Sequence, residues 1–352
     1  MLQVSAYTGG RHVASARFRL RQLIAPMRHY GVSIHEHSAV FGSFPPVHQA
    51  SRPLWGLVTL AQRIPSVLQS YQADVSLIQR EMLSTFVTLE PALKPPRVLD
   101  VDDAIWIHMG DKGARRLARL VDAIICGNGH IAKYFSQWNC NVRIIHTAVD
   151  DKRFSSLAKL PSDSLVIGWS GASSAFRELY RIEPALSRVL KKQSRVKLRI
   201  VADQKPQFTV LPEAQCEFVQ WSPEAEVSAI QQMDIGIMPL ADTSWNQGKC
   251  AYKMLLYMAC GLPVVASPVG MNREVFAMTE CGFAAGDIDE WTDSLEVLIA
   301  DADRRRILGN NGRILVSKQF SVDTIARQLA KELHAIAVVP RDDACVARRS
   351  TE

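Results

Sequence analysis

No stretch of apolar residues in this sequence approaches the length of about 18 needed to cross a bilayer. The opening residues carry no positive charge before Arg11, and Ser5, Thr8, Gly9 and Gly10 interrupt any apolar run. The triplet Ala14-Ser15-Ala16 therefore imitates a signal-peptidase site without a leader around it, and a cytoplasmic chain is expected. Cysteine is sparse: the seven residues (126, 140, 216, 250, 260, 281, 345) are odd in number, form no C-x-x-C pair and have no zinc-like spacing to histidine. That argues against a disulfide framework or a zinc site and predicts reduced thiols. There is no short-period repeat. With 47% hydrophobic and 22% charged residues, disorder, collagen and coiled coil are excluded as whole-chain answers. At about 150 residues per domain, the 352 residues suggest two domains, each large enough for its own core.

What is present is an alternation of short apolar runs with amphipathic helical stretches, the pattern of parallel α/β layers. The first half predicts strands at 4–7, 32–35, 75–79, 98–101, 123–126 and 142–145, with helices near 14–30, 55–72, 112–120 and 129–138. The second half restarts the pattern with strands at 165–169, 198–202, 235–238, 263–266 and 283–285. Helices near 176–191, 224–232, 249–259, 290–300 and 303–318 separate them. The polar stretch from Asp150 through Ser156 to Pro161 is the expected linker. A last helix follows Ser321, with Ile325, Leu329, Leu333 and Ile336 on one face, and the tail after Pro340 is expected to fray. The expectation is two doubly wound domains, 1–150 and 162–320, facing each other across a ligand cleft, with the helix 321–338 packing back on the first.

Several spans could carry chemistry. Gly127, Gly129 and Ala132 satisfy G-x-G-x-x-A, with Asp150 about 20 residues on, as a dinucleotide enzyme would require. The match falls in the fifth strand unit rather than the first, and a tight strand-to-helix turn explains it better. Asp100-Val101-Asp102-Asp103 ends an apolar strand, where a D-x-D suits a divalent cation or simply caps the turn. The span from Pro239 to Gly270 reads as strand, polar loop, a helix opening at Gly248, and a Gly-Leu-Pro turn into a buried strand. On that reading the helix start is an anion site, and Lys249 and Lys253, four apart, share a face, either beside the same phosphates or simply in solvent. Gly168 through Arg177 repeats the logic with Gly171, Ser173, Ser174 and a guanidinium one turn into a helix. Gly9-Gly10 follows the first strand, with Ser15, Arg17, Arg19 and Arg21 after it.

At these residues the chain resembles family 4 of the retaining, two-domain GT-B glycosyltransferases, which make bacterial polysaccharides and glycolipids. The resemblance rests on Ile167-Gly168-Trp169, Ser173-Ser174 with Arg177, Pro239-Leu240, Trp245 to Lys253 and Tyr257 to Asn272. In the first half it rests on Ser15 to Arg19, Gln79-Arg80-Glu81, Asp100 to Trp106, and Gly127-Asn128 with Val149-Asp150. It implies hexosyl or related glycosyl transfer, with retention, from a nucleoside diphosphate sugar to a hydroxyl of a saccharide or lipid-linked acceptor.

The donor would contact Gly10, Gly171, Ser173, Ser174, Gly248, Lys249, Ala251 and Tyr252. Arg177 and Lys253 would stabilise the leaving diphosphate, Asp102 or Asp103 would orient sugar or acceptor, and Arg17 and Glu81 would stand on the acceptor side. No metal or other cofactor is implied, because the cations take the metal's place. Two departures stand out: Leu256 and Gly248 occupy positions where the wider family has acidic residues that bind the donor ribose and sugar. Ala251 also replaces a frequent glycine. The alternatives are a catalytically inactive GT-B scaffold, a smaller one of a sugar-nucleotide epimerase, and a metal-dependent GT-A-like transferase using Asp100 and Asp102. The net charge of +6 lies wholly in residues 1–150, with 16 basic and 10 acidic residues against 25 of each in 151–352. Arg11, Arg17, Arg19, Arg21 and Arg28 concentrate it near the first helix, where an anionic membrane surface at the inner face is the expected partner. No motif supports nucleic acid.

Overall fold

A computed structural model describes residues 1–338 apart from 12, 43, 84–85, 110 and 157–162, with the side chains of 108 and 109 also left out. The end of the expected linker and the tail after Pro340 lie outside the described residues. The chain divides into two compact units: one holds residues 1–148, 248–250 and the segment from Val322 on, the other 149–247 and 251–321.

The first unit is built on a six-stranded sheet of order β2-β1-β3-β4-β5-β6. The strands are β1 Leu2–Thr8, β2 Val32–Ser38, β3 Val75–Gln79, β4 Arg97–Val101, β5 Ala123–Cys126 and β6 Val142–Ile144. All its pairings are parallel. β3 and β5 are buried along their whole length, as parallel strands covered on both faces must be. One side of the sheet packs Val4, Val32, Val75 and Ile125 against Leu20, Leu23 and Met27 and against Ile325, Leu329 and Leu333. The helix Val322–Val338 therefore belongs to this unit, and Tyr30 Oη donates to Asp323 at 2.8 Å to hold its start. The segment 14–30 is not one helix. Its middle, Arg17–Arg21, widens into a π-helical turn, Pro26 follows inside Gln22–Met27, and Gly31 ends it at φ 75°.

The second unit repeats the scheme, with order β12-β11-β10-β7-β8-β9. Here β7 is Leu165–Ser170, β8 Val196–Ala202, β9 Cys216–Gln220, β10 Ile235–Met238, β11 Val264–Ala266 and β12 Gly282–Ala284. Trp169, Leu179, Leu186, Leu198, Ile237 and Trp291 fill one core. β9 has no counterpart in the sequence expectation: it is a half-exposed edge strand carrying Glu217 and Gln220, too polar to read as a buried run. The expected helix 176–191 breaks at Ile182 into Phe176–Arg181 and Glu183–Lys192, where Pro184 takes an early position. The expected helix 249–259 begins only at Tyr252. Helices at Ile105–Met109, Ser244–Gln247 and Met271–Met278 were not anticipated. Cys126, Cys216, Cys250, Cys260 and Cys281 are thiols.

Candidate functional site

In each unit the strand order reverses beside its first strand, between β1 and β3 and between β7 and β10. The carboxyl ends of strands at such a switch leave a crevice for ligands.

In the first unit, Asp102 and Asp103 follow β4, and Arg80 follows β3. Arg80 takes the left-handed backbone conformation, φ 59°, and donates through Nη2 to Asp102 Oδ1 at 2.8 Å and Asp103 Oδ2 at 2.5 Å. Lys249 Nζ adds a third bond, 2.9 Å to Asp103 Oδ1. Burial alone would raise the Asp102 carboxyl; the Arg80 guanidinium, with Arg19 and Lys249, holds it below its ordinary value. Both side chains already accept hydrogen bonds from cations. Asp100 is likewise engaged: buried Arg19 grips it through Nε at 3.2 Å and Nη2 at 2.5 Å and reaches Ile145 O at 2.7 Å. Among the described residues, no group of three His, Cys, Asp or Glu side chains is placed to hold a metal ion. Asp100 and Asp102 are each paired to an arginine, and the two six-stranded parallel sheets correct the GT-A-like alternative as to fold.

Gly248-Lys249-Cys250 fits closely here. A Cβ on Gly248 would stand 2.7 Å from Ala104, so only glycine fits at this approach. Asn128 Nδ2 donates to Lys249 O at 3.0 Å, and Cys250 Sγ donates to Asp102 O at 3.1 Å. Asn128 Oδ1 meanwhile caps the helix Gly129–Phe135 by accepting from Ile131 N at 2.9 Å. The Gly127-Asn128 turn is thus spent on structure, as the tight-turn reading expected. Glu81 is buried, and burial raises its carboxyl. Gly10 has φ 145° and its carbonyl accepts from Arg21 at 2.8 Å, while the Arg17 guanidinium lies 4.3 Å from the Phe18 ring centroid. Two arginines of the expected basic patch turn inward, Arg19 to Asp100 and Arg21 to Glu36.

In the second unit, β7 ends at Ser170, whose N–H donates to the buried Tyr257 Oη at 2.8 Å. Burial pushes the Tyr257 phenol well above its ordinary value, so it stays a neutral hydroxyl. A Cβ on the next residue, Gly171, would collide with the Lys253 ammonium. That ammonium sits 4.1 Å above the Trp169 ring, a cation–π contact that fixes its position at the strand end. Lys253 lies in the first turn of the helix Tyr252–Ala259, and the residue before the helix, Ala251, has φ 53°. This kink corrects the expected pairing: Lys249 precedes the helix and pairs with Asp103, so the two lysines do not share a helix face.

Ser173 has a partner of its own. Its N–H and hydroxyl both donate to Asp203, at 2.6 and 2.8 Å, and hold that carboxyl below its ordinary value. Ser174 is exposed. Arg177 is 71% exposed and pairs at 3.2 Å with Glu178. Glu178 itself is buried and accepts from Ala241 N at 2.7 Å and Asn246 Nδ2 at 3.1 Å, tying the loop after β10 to the helix Phe176–Arg181. Sequence reasoning missed Glu178 and Asp203, and it named Arg80 and Tyr257 only as part of the resemblance, without a role. Each acts through a distant partner, and no local pattern marks such a pairing.

Residues 167–301 match the family model described as glycosyl transferases group 1. No curated protein matches the chain. Among solved structures, sucrose-phosphate synthase from Thermosynechococcus elongatus superposes with TM-score 0.70 at 16% identity, over 95% of this chain and 99% of that one. Anabaena HepE in complex with UDP gives 0.67 at 15%, over 95% and 100%. WaaG, described as a glycosyltransferase involved in lipopolysaccharide biosynthesis, gives 0.64 at 13%, over 94% and 99%. At such identities the superpositions speak to the fold. They bear out the GT-B architecture, and with the family model they bear out the resemblance read from the sequence.

Proposed function

The chain carries a group 1 glycosyltransferase domain over residues 167–301 on a GT-B fold, and from this we propose that it transfers a glycosyl group, with retention, from a nucleoside diphosphate sugar to a hydroxyl of a saccharide or lipid-linked acceptor. The observation that carries the reading is the end of β7, where Gly171 leaves room for the Lys253 ammonium and Trp169 holds it there. A fixed cation beside a glycine is suited to a diphosphate, whose charge grows as the glycosidic bond breaks. HepE has been solved with UDP and with UDP-glucose, which supports a donor of this class.

In this reading Lys253 and Arg177 stabilise the departing diphosphate, with backbone contacts from Gly171, Ala251 and Tyr252. Arg177 must swing from Glu178 to do so, and its exposure leaves it room. Lys249 reaches a phosphate only by giving up Asp103. Asp102, Asp103, Glu81 and Arg17 serve the sugar or the acceptor. Attack on the face from which the diphosphate leaves gives retention without a protein nucleophile. No metal is called for, since these cations supply the positive charge.

The test is a thermal-shift screen with UDP, GDP and ADP, followed by hydrolysis of the matching sugar donor. A shift with one nucleotide and turnover of its sugar support the reading. A specific observation favours a second reading: Leu256, buried in the helix Tyr252–Ala259, offers no carboxylate to a ribose. An inactive scaffold would show neither the shift nor the hydrolysis.

A further inference from the structure

The helix Arg52–Gln69 in the first unit is amphipathic the wrong way round. Its buried residues include Thr59, Arg63 and Ser66, with Ser70 just beyond. Its exposed residues include Leu54, Leu57, Ile64 and Leu68, followed by Tyr71, each more than half exposed. Their spacing of 3, 7, 4 and 3 draws one stripe along the helix. The polar face fixes this orientation: Arg63 donates to His37 O at 2.9 Å and Thr8 O at 2.8 Å, and Tyr7 Oη donates to Ser66 O at 2.7 Å.

The segment before the helix extends the same surface with exposed Val40, Phe41, Phe44 and Val47, and Trp55 Nε1 donates to Phe41 O at 3.4 Å. Among the described residues, nine of the nineteen exposed large hydrophobics fall between positions 40 and 71, so this is a patch and not ordinary scatter.

We propose that this face lies on an anionic lipid bilayer. No Asp or Glu occurs between Glu36 and Asp74, while Arg52 and His48 stand exposed beside the patch. The exposed Arg52 guanidinium, with no carboxylate anywhere in this stretch of chain, suits anionic headgroups. Phe41, Phe44, Trp55 and Tyr71 supply aromatic rings of the kind that settle at the headgroup level. At about 1.5 Å per residue the helix lies roughly 27 Å along the surface, and no described helix is long and apolar enough to cross it. The contact rests on this apolar face, not on the arginines near the first helix, and it does not depend on the donor reading.

The test is flotation of the full chain with phosphatidylglycerol/phosphatidylcholine vesicles. The parent chain floats, and the Leu57→Gln/Ile64→Gln/Leu68→Gln variant loses about tenfold or more in binding, as expected for apolar side chains left in water. These side chains are exposed, so the variant keeps the parent's circular dichroism and melting. A parent that stays at the bottom overturns the proposal. So does an undiminished triple variant, or an Arg11→Gln/Arg28→Gln variant that alone abolishes flotation. A dimer of the parent that the triple variant dissolves, without vesicle binding, assigns the face to a second copy instead.

Discussion

The buried carboxylate of Glu178 accepts a hydrogen bond from Asn246 Nδ2 at 3.1 Å, joining the helix after β7 to the loop after β10. The same carboxylate accepts from Ala241 N at 2.7 Å, so one side chain sets the shape of the loop. Glu178→Ala leaves both donors unpaired, at a cost of about 1–3 kcal/mol, whereas Glu178→Gln keeps one acceptor and loses less. Urea unfolding of the two variants gives the order. If the loop serves the donor, Glu178→Ala also raises the donor KM more than it lowers kcat. Equal stability of parent and both variants would remove the anchoring role.

Lys253→Ala lowers turnover by roughly 10² or more, the usual scale for a group that stabilises developing charge. Arg177→Ala has an effect of the same order under the proposed mechanism. Gly171→Ala acts on the same atom from the other side, because the added methyl displaces the Lys253 ammonium. Steady-state kinetics with the sugar donor identified by thermal shift provides the check. Unchanged kcat and kcat/KM for Lys253→Ala and Arg177→Ala together would end the assignment.

Much of the scaffold was legible because its strands are buried on both faces. β3 at Val75–Gln79, β5 at Ala123–Cys126 and β10 at Ile235–Met238 stand where their apolar runs placed them. β9 was not, since Cys216–Gln220 is a half-exposed edge. At the site, the sequence drew attention to Lys253 and Gly171, which the fold brings together. It misjudged Lys249 because the helix start depends on the backbone of one residue, Ala251, which alanine does not advertise. It did not foresee the partners of Ser173, Arg19 and Arg21, because a hydroxyl or guanidinium reads the same whether it faces a ligand or a carboxylate elsewhere in the chain.

Ala251 itself is a site of strain. At φ 53° an L-residue pays about 1–2 kcal/mol for the contact of its Cβ with the backbone, while glycine loses part of that gain to unfolded-state entropy. Ala251→Gly therefore stabilises the chain by about 0.5–1 kcal/mol. Differential scanning calorimetry shows a higher Tm if so; a lower Tm means the methyl packs well enough to offset the strain.

The buried pair Arg19–Asp100 allows a double-mutant test. Arg19→Met leaves the Asp100 carboxylate without its guanidinium, which costs about 3–5 kcal/mol when one partner of a buried pair is removed. Asp100→Leu strands the guanidinium in turn. The Arg19→Met/Asp100→Leu double variant recovers a large part of either loss, since it buries neither charge. Denaturant melts of the three variants settle the point, and strictly additive losses would show that the two side chains are not coupled.

His37 gives the pH dependence of stability a definite sign. Burial, then His35 and Arg63, push its pKa from 6.5 down to about 4 in the folded chain, where its ring stacks on Tyr7 at 5.0 Å. Between these two values the unfolded chain binds a proton at this position that the folded chain refuses. Stability is therefore lost as pH falls from about 6.5 towards 4 and does not depend on this group above that window. His37→Gln, which cannot titrate, flattens the slope of unfolding free energy against pH in that window while leaving the slope above pH 7 unchanged. Urea melts of parent and variant at matched ionic strength across the window measure it. Parallel slopes would assign the acid lability to other groups.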